Sequence, residues 1–168
     1  MSIQPKYCEL IASGKKTVEV RKTKPKLDTP FKVYIYCTKS RIPYESFGVG
    51  GNPYECGGKV IGEFVCECVT SLKADNIVQA YYNNTQATCL TDTEIKDYAN
   101  GGKLYYWHIS DLVIYDKPKE LSEFSSRSSR LEFSDTEDGF PLKWSGMTRP
   151  PQSWCYVESE VENNANRN

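Results

Sequence analysis

Histidine is almost absent from this chain: His108 is the only one in 168 residues. Acid–base chemistry built on a pair of histidines is therefore excluded, and metal sites that need His clusters are disfavoured. Cysteine is present seven times (8, 37, 56, 66, 68, 89, 155), but never at the two-to-four-residue spacing that zinc sites use. The closest pair, Cys66-x-Cys68, has the alternation of one strand face. An odd count without a secretory context argues against a disulfide framework, so most of these thiols are expected to be small buried hydrophobes. No metal and no cofactor are expected. No apolar run approaches the roughly 20 residues of a membrane helix. The opening residues Met1–Lys6 lack the charged-then-apolar layout of a signal peptide, so a soluble, cytoplasmic protein with no membrane partner is expected.

A net excess of one charge sign is also missing, with 21 Lys+Arg against 22 Asp+Glu. The sum hides an asymmetry. Residues 1–41 hold ten bases and three acids, a balance of +7, and the rest of the chain carries −8. Such a split suits an anionic partner, although lysines on a solvated face account for any single charge. A hydrophobic fraction of 39% with 12% aromatic residues is enough for one core. A single domain over 1–157 is expected, with loop insertions at 40–58 and 120–146 and a disordered polar tail at 158–168.

Residues 5–13 read as a short helix, with Pro5 at a first helical position and Gly14 as its stop. Strands are expected at 17–21, 33–38 and 59–69, the last apolar on both faces. The glycine-rich stretch 40–58 lacks a G-K-[ST] ending and is not a phosphate loop. Thr91-Asp92-Thr93-Glu94 is a capping box opening a helix that stops near Gly101-Gly102. Leu104–Tyr115 reads as a long strand in which His108, Ser110 and Asp111 mark a bulge or a ligand-facing stretch. Seven serines and the acidic run 135–138 make 120–146 an excursion, and Trp154–Val157 reads as a last short strand. Strands that rarely alternate with helices exclude a doubly wound fold. The class is α+β, a small mixed β-barrel with short helices at its rim.

The most informative segment is Gly14-Lys15-Lys16-Thr17-Val18-Glu19-Val20-Arg21-Lys22. Glu19 and Arg21 share one strand face, and Lys16 stands at the turn before it. Opposite charges alternating on a barrel strand suit a face that lines a wet cleft. An ordinary cross-strand ion pair, worth little when exposed, fits the same pattern.

Gly14-x-Lys16-x-x-Glu19-x-Arg21 resembles the G-x-K-x-x-E-x-R signature of the ASCH domain, a branch of the PUA-like β-barrels. Ser2–Pro5 with its short helix, Val33–Lys39 and Gly58–Phe64 agree with that family over the first 70 residues. Trp107–Leu112 and Arg149–Val157 are similar to the longer ASCH proteins of bacteria and phages. The resemblance implies a cleft between barrel and helix, into which the signature residues point, and RNA or nucleotide binding there. Lys16, Arg21 and Lys22 would hold phosphate, Trp107 would stack an unpaired base, and Glu19 would accept from an exocyclic amino group. Thr38, Lys39, His108 and Arg149 complete the candidate binding set. The 21 aromatic residues must mostly pack inside, so any one of them, Trp107 included, is more often a core ring, and a lone histidine such as His108 is more often a satisfied buried side chain than a catalyst.

Three functions follow. The first is a binding module for single-stranded RNA or a modified nucleotide, using a local basic cleft. The second is an enzyme in the same cleft. One ASCH branch is similar to an N4-acetylcytidine amidohydrolase with a Lys, a Thr three residues on and a later Glu. Lys16 matches, but Glu19 stands where that branch has Thr, leaving Lys16 and Glu19 as a general acid/base pair. Ribonuclease activity, credited to some members, would have to work with one His. The third is a protein-interaction domain using the loops at 40–58 and 120–146.

Overall fold

The computed structural model describes residues 1–39, 57–73, 86–126 and 146–157, together with the backbone of 131–132 and 143–144. The glycine-rich stretch up to residue 56, much of the serine-rich excursion and the tail from 158 lie outside the described residues.

Strand β1 (Ser2–Ile3) leads into helix α1 (Pro5–Ala12), with Pro5 in its first turn. Gly14 ends the turn after α1 at φ +71, a left-handed conformation that glycine adopts without a Cβ penalty. Next come β2 (Val18–Arg21), β3 (Phe31–Cys37) and the long β4 (Lys59–Lys73). Helix α2 (Asp92–Ala99) has the capping box in place: Thr91 Oγ1 accepts from Glu94 N at 3.2 Å, and Thr91 N donates to Glu94 Oε2 at 2.8 Å. It stops at Asn100, held in the left-handed region at φ 46, just ahead of Gly101. Strand β5 (Lys103–Glu120) follows, then a 3-10 turn (Leu121–Glu123) and the two-residue strands β6 (Leu131–Glu132) and β7 (Lys143–Trp144), which pair with each other. Four expected strands are present: β2 begins one residue later than expected, and β3, β4 and β5 run longer than their sequence signals because pairing extends them beyond the apolar stretch. The short β1, β6 and β7 carry too little pattern to be read in advance. Trp154–Val157, expected as a strand, has no strand ladder. Side chains anchor it instead: Trp154 Nε1 donates to Thr23 Oγ1 at 2.9 Å, and Tyr156 Oη accepts from Lys26 N at 2.7 Å.

The main sheet is mixed, in the order β1-β3-β4-β5-β2, with β1 parallel to β3 and the other pairs antiparallel. The expected bulge in β5 is real. Between Glu63↔Val113 and Val65↔Ser110 the register slips, with Asp111 at φ 44. Such bulges bend a strand and increase its twist, which a curling sheet requires. Ile3, Ile11, Ile35, Ile61, Phe64, Cys66 and Trp107 fill the main core on one side. Val18 and Val20 face the other way, onto Ile95 and Ala99 of α2.

The ladder does not close into a full barrel, since β1 and β2 are its two ends. Those ends nevertheless meet: Arg21 Nη2 on β2 donates to the Ser2 carbonyl of β1 at 2.6 Å. A side chain therefore spans the seam where a closed barrel would have backbone pairing.

Gly62 sits at a second register slip of β4, where a Cβ would overlap the Val113 carbonyl. Gly62→Ala should destabilise the fold by roughly 1–3 kcal/mol through this overpacking. Urea denaturation should show a lower midpoint at unchanged slope.

Candidate functional site

The seam between β1 and β2 opens into a cleft of about 630 Å³, within the range of pre-formed small-molecule sites of about 300–1,000 Å³. Its floor is the signature segment. Alternation along β2 sends Val18 and Val20 to the α2 side and leaves Glu19 and Arg21 on the opposite face. Lys16 reaches the same place from the turn after α1. Its Nζ donates to the Thr88 carbonyl at 2.6 Å and lies 3.3 Å from Glu19 Oε2. The other oxygen, Glu19 Oε1, is 3.0 Å from Arg21 Nη2. Glu19 is thus a carboxylate bridge between two cations, and its side chain is only 8% exposed. Burial pushes the Lys16 amine below its ordinary value, while the Glu19 carboxylate opposes the shift.

Two tyrosines form the cleft walls. Tyr7 of α1 lies over Lys16, with Nζ 5.3 Å from the ring centroid, and burial pushes its phenol up. Tyr98 of α2 stands at the mouth, more than a third exposed, with Lys22 Nζ 5.0 Å from its ring. Lys6 takes a similar rim position, 5.2 Å from the Tyr7 ring and 3.8 Å from Glu94 Oε1. Ser2, Gln4, Thr38 and Gln152 add polar groups, and Glu94 and Asp97 of α2 add acids.

Of the residues singled out in the sequence, Lys16, Glu19, Arg21 and Thr38 line this cleft. Lys22 borders it through Tyr98. The others lie elsewhere. Trp107, opposite Glu19 across the β2–β5 ladder, is 2% exposed, and its ring packs edge-on against Phe31 at 5.5 Å. It is a core ring, unavailable to stack a base in the cleft. His108 is half-buried beside Thr70 Oγ1 at 3.2 Å. Lys39 is exposed and extends over Gly58, and Arg149 is exposed, so the C-terminal segment reaches the cleft through Gln152 instead. The expected basic cleft also needs correction. Its charged lining is Lys16 and Arg21 against Glu19, Glu94 and Asp97, while most lysines of residues 1–39 face solvent. Among the described residues, no three His, Cys, Asp or Glu side chains are placed to hold a metal ion.

The α2 contribution escaped the sequence reading. A signal for it existed: Glu94, Asp97 and Tyr98 fall at helical i, i+3, i+4 spacing, beside the buried Ile95 and Ala99.

A family model for the ASCH domain matches residues 1–124. The chain belongs to the ASCH family. Solved ASCH structures agree in fold. The crystal structure of ASCH from Zymomonas mobilis is 21% identical, with 98% of this chain and 89% of that one covered and a TM-score of 0.62. A mutant of the same Zymomonas mobilis protein gives 20% identity, 99% and 93% coverage and a TM-score of 0.61. No curated protein matches this ASCH chain. No helix among its described residues is long and apolar enough to cross a membrane.

Two outcomes follow from the site. Glu19→Gln removes the charge that both buried cations face, and an uncompensated buried charge costs about 3–5 kcal/mol. Lys16→Met leaves the Glu19–Arg21 pair intact and should cost less. Thermal unfolding of the two variants checks this order. For Glu94, the hydrogen bonds from Thr91 hold its carboxyl below the usual value of 4.5. A depressed folded-state pKa means that the cap contributes fully above the unfolded value and is lost as pH falls through the folded one. Exchange of the α2 amides should therefore accelerate on acidification below about pH 4.5, and Glu94→Gln, which keeps a capping side chain, should flatten that dependence.

Proposed function

We propose that the seam cleft binds one unpaired nucleotide of a single-stranded RNA, with the base inside and the phosphate at the rim. The observation that carries this reading is a nucleoside-sized cleft walled by Tyr7 and Tyr98, whose outer edge bears Lys6 and Lys22. Aromatic faces stack bases of any identity, worth about 1–3 kcal/mol per base, and rim cations meet phosphate in solvent. The PUA-like fold of the ASCH family is itself associated with RNA binding. Duplex RNA does not suit the site, because paired and stacked bases cannot enter a cleft.

The signature charges serve this function as a scaffold. Lys16 and Arg21 are committed to Glu19 and to the carbonyls of Thr88 and Ser2, which fixes the floor and ties β1 to β2. The same commitment argues against hydrolysis with Lys16 as a base: its amine already donates to the Thr88 carbonyl and to Glu19 and is not free to meet a substrate.

Fluorescence anisotropy with a labelled single-stranded oligoribonucleotide tests the reading. Affinity should fall with salt, with log K against log[salt] declining by about 0.7 per phosphate contacted. Lys22→Ala should reduce that slope, and Tyr98→Ala should weaken binding by about 1–3 kcal/mol at unchanged slope. Equal binding of the matching duplex, or no salt-sensitive binding at all, overturns the reading.

A further inference from the structure

The hydrogen-bonding groups left in the cleft, once the internal pairings are accounted for, carry information about which base it takes. Glu19, the acceptor expected to meet an exocyclic amino group, has each of its oxygens turned to a cation of the floor. Glu94 is engaged by Thr91 and Lys6. Asp97, one helical turn further along α2, lines the cleft, is exposed, and has no ion pair or side-chain hydrogen bond among the described residues. The edge of β2 adds to it. Ile109 N donates to the Thr17 carbonyl, so alternate residues Thr17, Glu19 and Arg21 bond to β5. The N–H and C=O of Val20 therefore point away from β5 into the seam, and Val20 lines the cleft. A planar ligand edge would meet one backbone donor, one backbone acceptor and a carboxylate, and the floor leaves one buried cationic N–H, Arg21 Nε, without a partner among the described residues.

We infer that the cleft prefers a base carrying an exocyclic amino group (cytosine, adenine or guanine, as against uracil or hypoxanthine), selected by the Asp97 carboxylate, and keeps phosphate out. The inference rests on the nucleotide-binding reading above and sharpens it. An amino group donates to Asp97, whereas a carbonyl oxygen in its place sets two acceptors against each other. Phosphate inside the cleft would meet a charged lining of two bases, Lys16 and Arg21, and three acids, Glu19, Glu94 and Asp97, a net charge of −1.

The test compares matched pairs by calorimetric or NMR titration of the full chain: cytidine against uridine, and adenosine and guanosine each against inosine. The amino-bearing member of each pair should bind at least about tenfold more tightly, the value of one good hydrogen bond. Asp97→Asn, a surface change expected to leave the melting temperature unmoved, should bring each pair to within about twofold, since an amide can both donate and accept. Inorganic phosphate should not displace cytidine. Equal affinities within the pairs, a preference that survives Asp97→Asn, or competition by phosphate would each overturn the inference while leaving nucleotide binding standing. Failure of every nucleoside and of the single-stranded oligonucleotide to bind would overturn both.

Discussion

Everything around the cleft depends on one buried carboxylate. Glu19 lies between Lys16 and Arg21, and all three side chains are largely withdrawn from water. Isolated, either cation would carry a desolvation cost of several kcal/mol. Together, with the Thr88 and Ser2 carbonyls each accepting one further hydrogen, they form a connected network in which the buried Arg21 Nε alone is left without a partner. One geometry therefore holds four pieces of chain: the turn after α1, strand β2, strand β1 and the segment before α2.

The network also explains why the cleft lies where it does. A five-stranded sheet that curls but does not close leaves two edges, and unpaired edges invite unwanted strand pairing. Here Arg21 spans the gap, and Ser2 is further covered by Ser153, whose carbonyl accepts from Ser2 N at 2.8 Å. What remains open is a pocket between the ends, roofed by α1 and α2. The helices contribute aromatic and acidic groups, and the strands contribute the charged floor. Cations displaced from the floor's business stand outside on the Tyr7 and Tyr98 rings. The division separates an interior in which three acids face two bases from the lysines at its rim.

Much of this was legible in the residues themselves. Alternation placed Glu19 and Arg21 on one face, the capping box announced α2 at Thr91, and the polar interruption of β5 marked its bulge. The failures are equally physical. Trp107 belongs to the same strand stretch as His108, but only the ladder with β2 shows which face meets the core. Arg149 is followed by two prolines, and the direction of that segment is set by Ser2 Oγ donating to the Pro151 carbonyl at 2.6 Å, which brings Gln152 rather than Arg149 to the cleft. The +7 of the first 41 residues was a true count and a misleading guide, because the charges that converge there are cancelled by acids from β2 and α2.

The sequence by itself determined the local elements, the family signature and the pairing of opposite charges on one strand face, because these depend on spacings of two to four residues. The tertiary structure alone decided that those charges would be buried, that β1 and β2 would be the ends of an open sheet, and that α2 would bring Asp97 and Tyr98 to the same cleft. Those outcomes join residues some 20 to 150 positions apart, from Ser2–Arg21 to Ser2–Pro151, and no local pattern encodes such distances.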